Sequence, residues 1–72
     1  MRVPSIGFSF SLVGVSFEVV KIYGTVFKAK AKGHEAKTKI KENDHFKLFD
    51  ERYVILKVGA LSNHTTIEAT IE

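Results

Sequence analysis

The sequence predicts an all-β fold: a small antiparallel β-barrel or sandwich-like sheet of about five to six short strands. Three observations predict it. Apolar and polar residues alternate with period two over much of the chain. Glycines at positions 7, 14, 24, 33 and 59 punctuate the alternating runs. Between them, β-branched and aromatic residues dominate the apolar positions.

The first run places Ile6, Phe8, Phe10 and Leu12 on one face and Gly7, Ser9 and Ser11 on the other. Val13-Gly14 breaks the phase, and Val15, Phe17 and Val19 resume it. As a two-residue turn, Val13-Gly14 pairs Leu12 with Val15, Phe10 with Phe17 and Phe8 with Val19, all apolar. A β-bulge in one long strand is the competing reading. Residues 17–23 carry apolar groups on both faces, which predicts a central strand covered on both sides. Gly24 marks a kink or turn.

The next element reads as a hairpin about Gly33-His34, with glycine first as a type II′ turn requires. Phe27 then faces Ile40, Lys28 faces Lys39 and Lys30 faces Lys37. One side of this ribbon carries Phe27, Ala29, Ala31, Ala36, Thr38 and Ile40. The other carries Lys28, Lys30, Lys32, Lys37, Lys39 and Lys41, with only Glu35 to offset them.

Glu42-Asn43-Asp44 forms a polar turn. Residues 46–49 and 52–58 form another hairpin, closed at Asp50-Glu51. A short helix within 44–58 is the alternative, because Phe46, Phe49, Tyr53 and Leu56 share helical spacing between Asp44 and Gly59. Val54, Ile55 and Val58 are β-branched and favour strand. After a turn at Ser62-Asn63-His64, Ile67, Ala69 and Ile71 face the core, with Thr66, Glu68, Thr70 and Glu72 outward. No internal repeat, linker or domain boundary is apparent, so 1–72 reads as a single domain.

The stretch from Lys39 to Leu48, followed by Tyr53 to Val58, is similar to the end of two groups of small β-barrels. These are the swapped-hairpin transition-state regulators and the OB domains of the NfeD family. The basic Ile-Pro segment of the first group is absent, and no family is assigned.

Composition narrows the function. A 72-residue domain buries a small core, and such scaffolds add disulfides, a metal or a partner subunit. The chain has no cysteine, which excludes disulfides and thiolate zinc sites. A homo-oligomer is the expected remaining source of burial, and the lack of cysteine points to a cytoplasmic setting. The uncharged run at 3–17 follows Met1-Arg2 as a secretory signal would, but it alternates and lacks an Ala-x-Ala cleavage site. It is also shorter than the roughly 20 apolar residues a membrane span needs.

Eleven basic and eight acidic residues leave a net charge of +3. That balance permits anionic partners without requiring them. His34, His45 and His64 fall singly in turns, so no metal site is expected. No nucleophile elbow, His-Glu-x-x-His or phosphate loop is present, and Asp50-Glu51 reads as a turn rather than a carboxylate pair. No catalytic residue, cofactor or enzymatic activity is expected. Most aromatics fall in the core-facing phase, with Tyr23 and Tyr53 the candidates for partial exposure.

Two functions follow. The first is a non-enzymatic binding module whose lysine face (Lys28, Lys30, Lys32, Lys37, Lys39, Lys41) contacts nucleic acid or another polyanion. Opposed lysines repel, and phosphates relieve that repulsion. The alternative is a protein-interaction or structural module that pairs through exposed β-edges, the first and last strands being the candidates.

Overall fold

The computed structural model describes residues 2–72 and shows six antiparallel strands in a nearly closed, barrel-like sheet. The strands are β1 (Ser9–Leu12), β2 (Val15–Tyr23), β3 (Val26–Ala31), β4 (His45–Leu48), β5 (Glu51–Leu61) and β6 (His64–Ile71). Their spatial order is β1-β2-β3-β6-β5-β4. Among the described residues the single helical element is a 3-10 turn at Glu35–Thr38. The all-β expectation therefore holds, and the helical alternative within 44–58 is replaced by β4 and β5. Among the described residues no helix is long and apolar enough to cross a membrane.

Alternation fixes which side of each strand faces inward. Phe10, Val15, Phe17, Val19, Phe27, Ala29, Ala31, Phe46, Tyr53, Ile55, Ile67 and Ala69 form one buried cluster. Small alanines on β3 and β6 stand beside the large rings, so the layers interdigitate. The Val13-Gly14 turn forms with the expected register, Leu12 opposite Val15 and Phe10 opposite Phe17. Both turn residues have positive φ (50° and 78°), the signature of a type I′ turn, whose twist matches that of the strands.

The sheet is two copies of one three-stranded unit. Positions of β1 and β2 answer to positions 36 residues further on in β4 and β5: Phe10 to Phe46, Leu12 to Leu48, Phe17 to Tyr53, Val19 to Ile55 and Lys21 to Lys57. On the third strands Ala29 answers to Ala69, opposite Val19 and Ile55 respectively, because the β5–β6 hairpin is longer. The hydrogen bonds repeat with the residues. Gly7 N donates to Val19 O at 2.8 Å, and Asn43 N donates to Ile55 O at 2.8 Å. Phe8 N donates to Ser5 O, and Asp44 N to Lys41 O. Gly7 and Asn43 both have positive φ, as do the turn pairs Val13-Gly14 and Phe49-Asp50. Bulges fall at the same place, after Val19 on β2 and after Ile55 on β5. Buried Pro4 and Ile40 are likewise equivalent. This corrects the expectation of no repeat: few residues are identical between the units, and matching backbone geometry carries the likeness.

Four other expectations are corrected. Residues 27–41 do not form a hairpin. Both edges of β3 are taken, by β2 and by β6, so residues 36–40 have no place beside it. The chain instead turns at Gly33 (φ 72°) into the 3-10 turn, and Ala36 and Ile40 are buried. Second, the β4–β5 turn is Phe49-Asp50 rather than Asp50-Glu51, with Leu48 opposite Glu51. Moving a turn by one residue slides the pairing by two, so Phe46, Leu48, Tyr53 and Ile55 still share one face up to the bulge after Ile55. Third, β2 is not covered on both sides. Its bulge re-phases the strand, turning Ile22 toward Phe27 while Lys21 and Tyr23 face outward. Fourth, β6 lies inside the sheet between β3 and β5. The true edges are β1 and β4.

Those two edges meet through rings rather than backbone. Phe8 lies 5.1 Å from Phe49, and Phe10 lies 5.9 Å from Phe46. The N-terminal segment also packs here. The Arg2 guanidinium stacks 3.9 Å from the Phe49 ring centroid, and the Tyr53 hydroxyl donates to the Arg2 carbonyl. Tyr53 is therefore fully buried, contrary to the expected partial exposure.

Candidate functional site

The structure divides the six predicted lysines. Lys28 and Lys30 lie on the outer side of β3, because Phe27, Ala29 and Ala31 occupy its inner side. Lys32 follows just beyond the strand end. Lys37 lies in the 3-10 turn, and Lys39 and Lys41 in the exposed connection to β4, where Lys41 N donates to Asp44 Oδ2 at 3.0 Å. The last three share no β-face with the first three, so the six-lysine ribbon does not exist.

Pairing between distant strands builds a different face. Lys28 lies opposite Lys21 of β2 on one side and opposite Glu68 of β6 on the other. Glu68 in turn lies opposite Lys57 of β5. The row Lys21-Lys28-Glu68-Lys57 crosses four strands, a span of about 14 Å at ordinary strand spacing. The adjoining row runs Glu18-Lys30-Thr66-Gly59. Lys21 and Lys57 were not among the sequence candidates. Each follows an equivalent bulge, within Val19-Val20-Lys21-Ile22 and Ile55-Leu56-Lys57-Val58, and that recurrence is the signal that could have found them.

Glu68 is the acidic centre of this row. It accepts a hydrogen bond from the Tyr23 hydroxyl. That bond, some burial and the carboxylate charge all raise the Tyr23 pKa above its ordinary value. The Lys21 ammonium lies 5.7 Å from the Tyr23 ring centroid. Tyr23 is 43% exposed on the same outer face. No lysine among the described residues is within ion-pair distance of a carboxylate. Between Lys28 and Lys57 lies a shallow depression of about 180 Å³, floored by Gly59 and Thr66. A Cβ at Gly59 would lie 3.1 Å from Thr66 Oγ1, so the glycine keeps the depression open.

A larger groove of about 570 Å³ opens where β3 leaves β2 after Ala31. Ser9, Ser16, Glu18, Lys30, Lys32 and His64 lie along it. His64 Nδ1 is 2.7 Å from the Ala31 carbonyl, which can only accept, so Nδ1 donates this bond. The equivalent place in the second unit is occupied by protein: Glu72 pairs there with His45 and with Arg52. His34 is exposed at the start of the 3-10 turn, so the three histidines stand apart. Among the described residues no group of three His, Asp or Glu side chains could hold a metal ion.

Fold and face together define a small, internally duplicated antiparallel barrel with a lysine-bearing outer sheet. Comparisons with protein-family models, with curated proteins and with solved structures find no match for the chain.

Proposed function

We propose that this chain is a non-enzymatic binding module that holds a polyanion, nucleic acid foremost, on the outer face of β2, β3, β6 and β5. Lys21, Lys28, Lys30, Lys32 and Lys57 neutralise its charge. The observation that carries this reading is Lys21 directly opposite Lys28, with neither ammonium in an ion pair. Like charges opposed across an antiparallel pair destabilise it, and an anion laid over both removes that cost. Counterions released from a phosphate backbone add a favourable term. Lysines meet phosphate as point charges, so sequence selectivity is weak. Tyr23, the exposed ring beside Lys21, offers a surface on which a base can stack.

Affinity for an oligonucleotide, measured against salt from about 50 mM upward, tests this reading. The logarithm of affinity falls with the logarithm of salt at about −0.7 to −0.9 per phosphate contacted. Replacing Lys21, Lys28 and Lys57 with glutamine flattens that slope by roughly two to three. Replacing Lys37, Lys39 and Lys41 leaves it unchanged. Absence of binding at the lowest salt, or a slope unmoved by the first set, overturns the reading.

A further inference from the structure

We propose that the β1–β3 unit of one molecule is a partner for the β4–β6 unit of another, so that a second copy of this chain closes the same barrel by exchange. The inference is independent of the lysine face. It rests on the internal duplication and on where the chain is free to open.

Each unit is a three-stranded antiparallel sheet with one apolar face. Such a sheet needs a second layer to bury that face. Here the second layer is the other unit. The contacts between units include the β3–β6 ladder from Val26–Thr70 to Lys30–Thr66, the Phe10–Phe46 stack, the Phe8–Phe49 contact, the edge-on approach of Phe27 to Tyr53, and the bonds of Tyr53 to the Arg2 carbonyl and Tyr23 to Glu68. None of these depends on the two units belonging to one chain.

The connections differ sharply in length. Within the units every turn has two residues: Val13-Gly14, Gly24-Thr25, Phe49-Asp50 and Ser62-Asn63. Between the units the chain runs from Ala31 to His45, through residues 32–44. Opening there breaks no hairpin. It releases Ala36 and Ile40 and the bond from Thr65 N to Gly33 O, all of which an exchanged dimer can remake. The long tether holds the units at an effective concentration on the order of millimolar. Exchange therefore competes when the chain itself approaches that concentration, and the tether, not the interface, sets the monomer–dimer balance.

A cysteine pair across the β3–β6 ladder reads out exchange in the full chain. Lys30 and Thr66 are directly opposite. They form a non-hydrogen-bonded pair, with Cα atoms about 4.5 Å apart, within disulfide reach. The chain has no other cysteine. The Lys30→Cys/Thr66→Cys variant is unfolded under reducing conditions, refolded at about 1 µM or about 1 mM, oxidised, and separated by mass without reductant. The expected result is an internally bridged monomer at the low concentration. At the high one, a dimer with two bridges and no free thiol becomes a major species. A bridged monomer at both concentrations overturns the proposal. So does a dimer that keeps free thiols, or one no more abundant than Lys30→Cys alone gives.

Discussion

Phe10 and Phe46 stack 5.9 Å apart with their planes 2° from parallel, each the counterpart of the other in its own unit. Phe10 also stacks on Phe17, and Phe46 on Tyr53, at 5.8 Å and 5.7 Å. Four equivalent rings thus run across the seam between β1 and β4, where no backbone ladder exists. Phe46→Ala should cost about 3–5 kcal/mol, because the cavity cannot refill from a short edge strand. A double-mutant cycle with Phe10→Ala should show a coupling of about 0.5–1.5 kcal/mol beyond area burial. Urea unfolding of the four proteins measures both. Strict additivity would mean that the seam is held elsewhere.

Val13 sits at φ 50°, a left-handed conformation that a β-branched residue adopts only under strain. The type I′ turn around it favours Asn followed by Gly, and Gly14 already follows. Val13→Asn should therefore stabilise the protein by about 1 kcal/mol. Val13 is 45% exposed, so little packing is lost. A lower unfolding midpoint in the variant would contradict the strain argument.

Lys21→Glu should raise stability and weaken polyanion binding together. The change replaces a lysine opposite Lys28 with an opposite charge, worth about 0.2–1 kcal/mol. The same change removes a cation from the proposed face and adds an anion. Thermal unfolding and oligonucleotide affinity, measured on one preparation, should move in opposite directions. Parallel losses would indicate that Lys21 holds the fold rather than a ligand.

Tyr53 predicts an alkaline limit. Burial raises its pKa, the Glu51 charge adds to the rise, and Arg2 partly offsets it. A tyrosine in the unfolded chain ionises near 10. Below that value both states carry the proton and the stabilisation is complete. As pH climbs toward the higher folded pKa, only the unfolded chain sheds its proton, and stability falls. Tyr53→Phe loses the bond to the Arg2 carbonyl, at about 0.5–1.5 kcal/mol near neutral pH. It should also lose part of this alkaline decline, so the gap between the proteins narrows above about pH 10. A gap constant with pH would mean that Tyr53 keeps its ordinary pKa.

Strand faces were legible in the sequence because burial imposes a period of two on each strand separately. Phe8, Phe10, Phe17 and Val19 declared both their face and their mutual register across Val13-Gly14. Even the misplaced turn at Asp50-Glu51 preserved the faces of Phe46 and Tyr53. The lysine ribbon was misread because Lys28, Lys30, Lys37 and Lys39 satisfy the alternation of a local hairpin. Nothing within residues 27–41 reveals that both edges of β3 are already occupied.

The sequence by itself determined the all-β class, the inward side of most strands and the Val13-Gly14 turn with its register, since each follows from neighbours a few residues apart. Only the tertiary structure decided that β6 lies beside β3, that Lys21 and Lys57 flank Lys28 and Glu68, and that one unit occurs twice. Those relationships join residues far apart in the chain. They are set by which edges find each other while the shared core is buried, and no local periodicity encodes that choice.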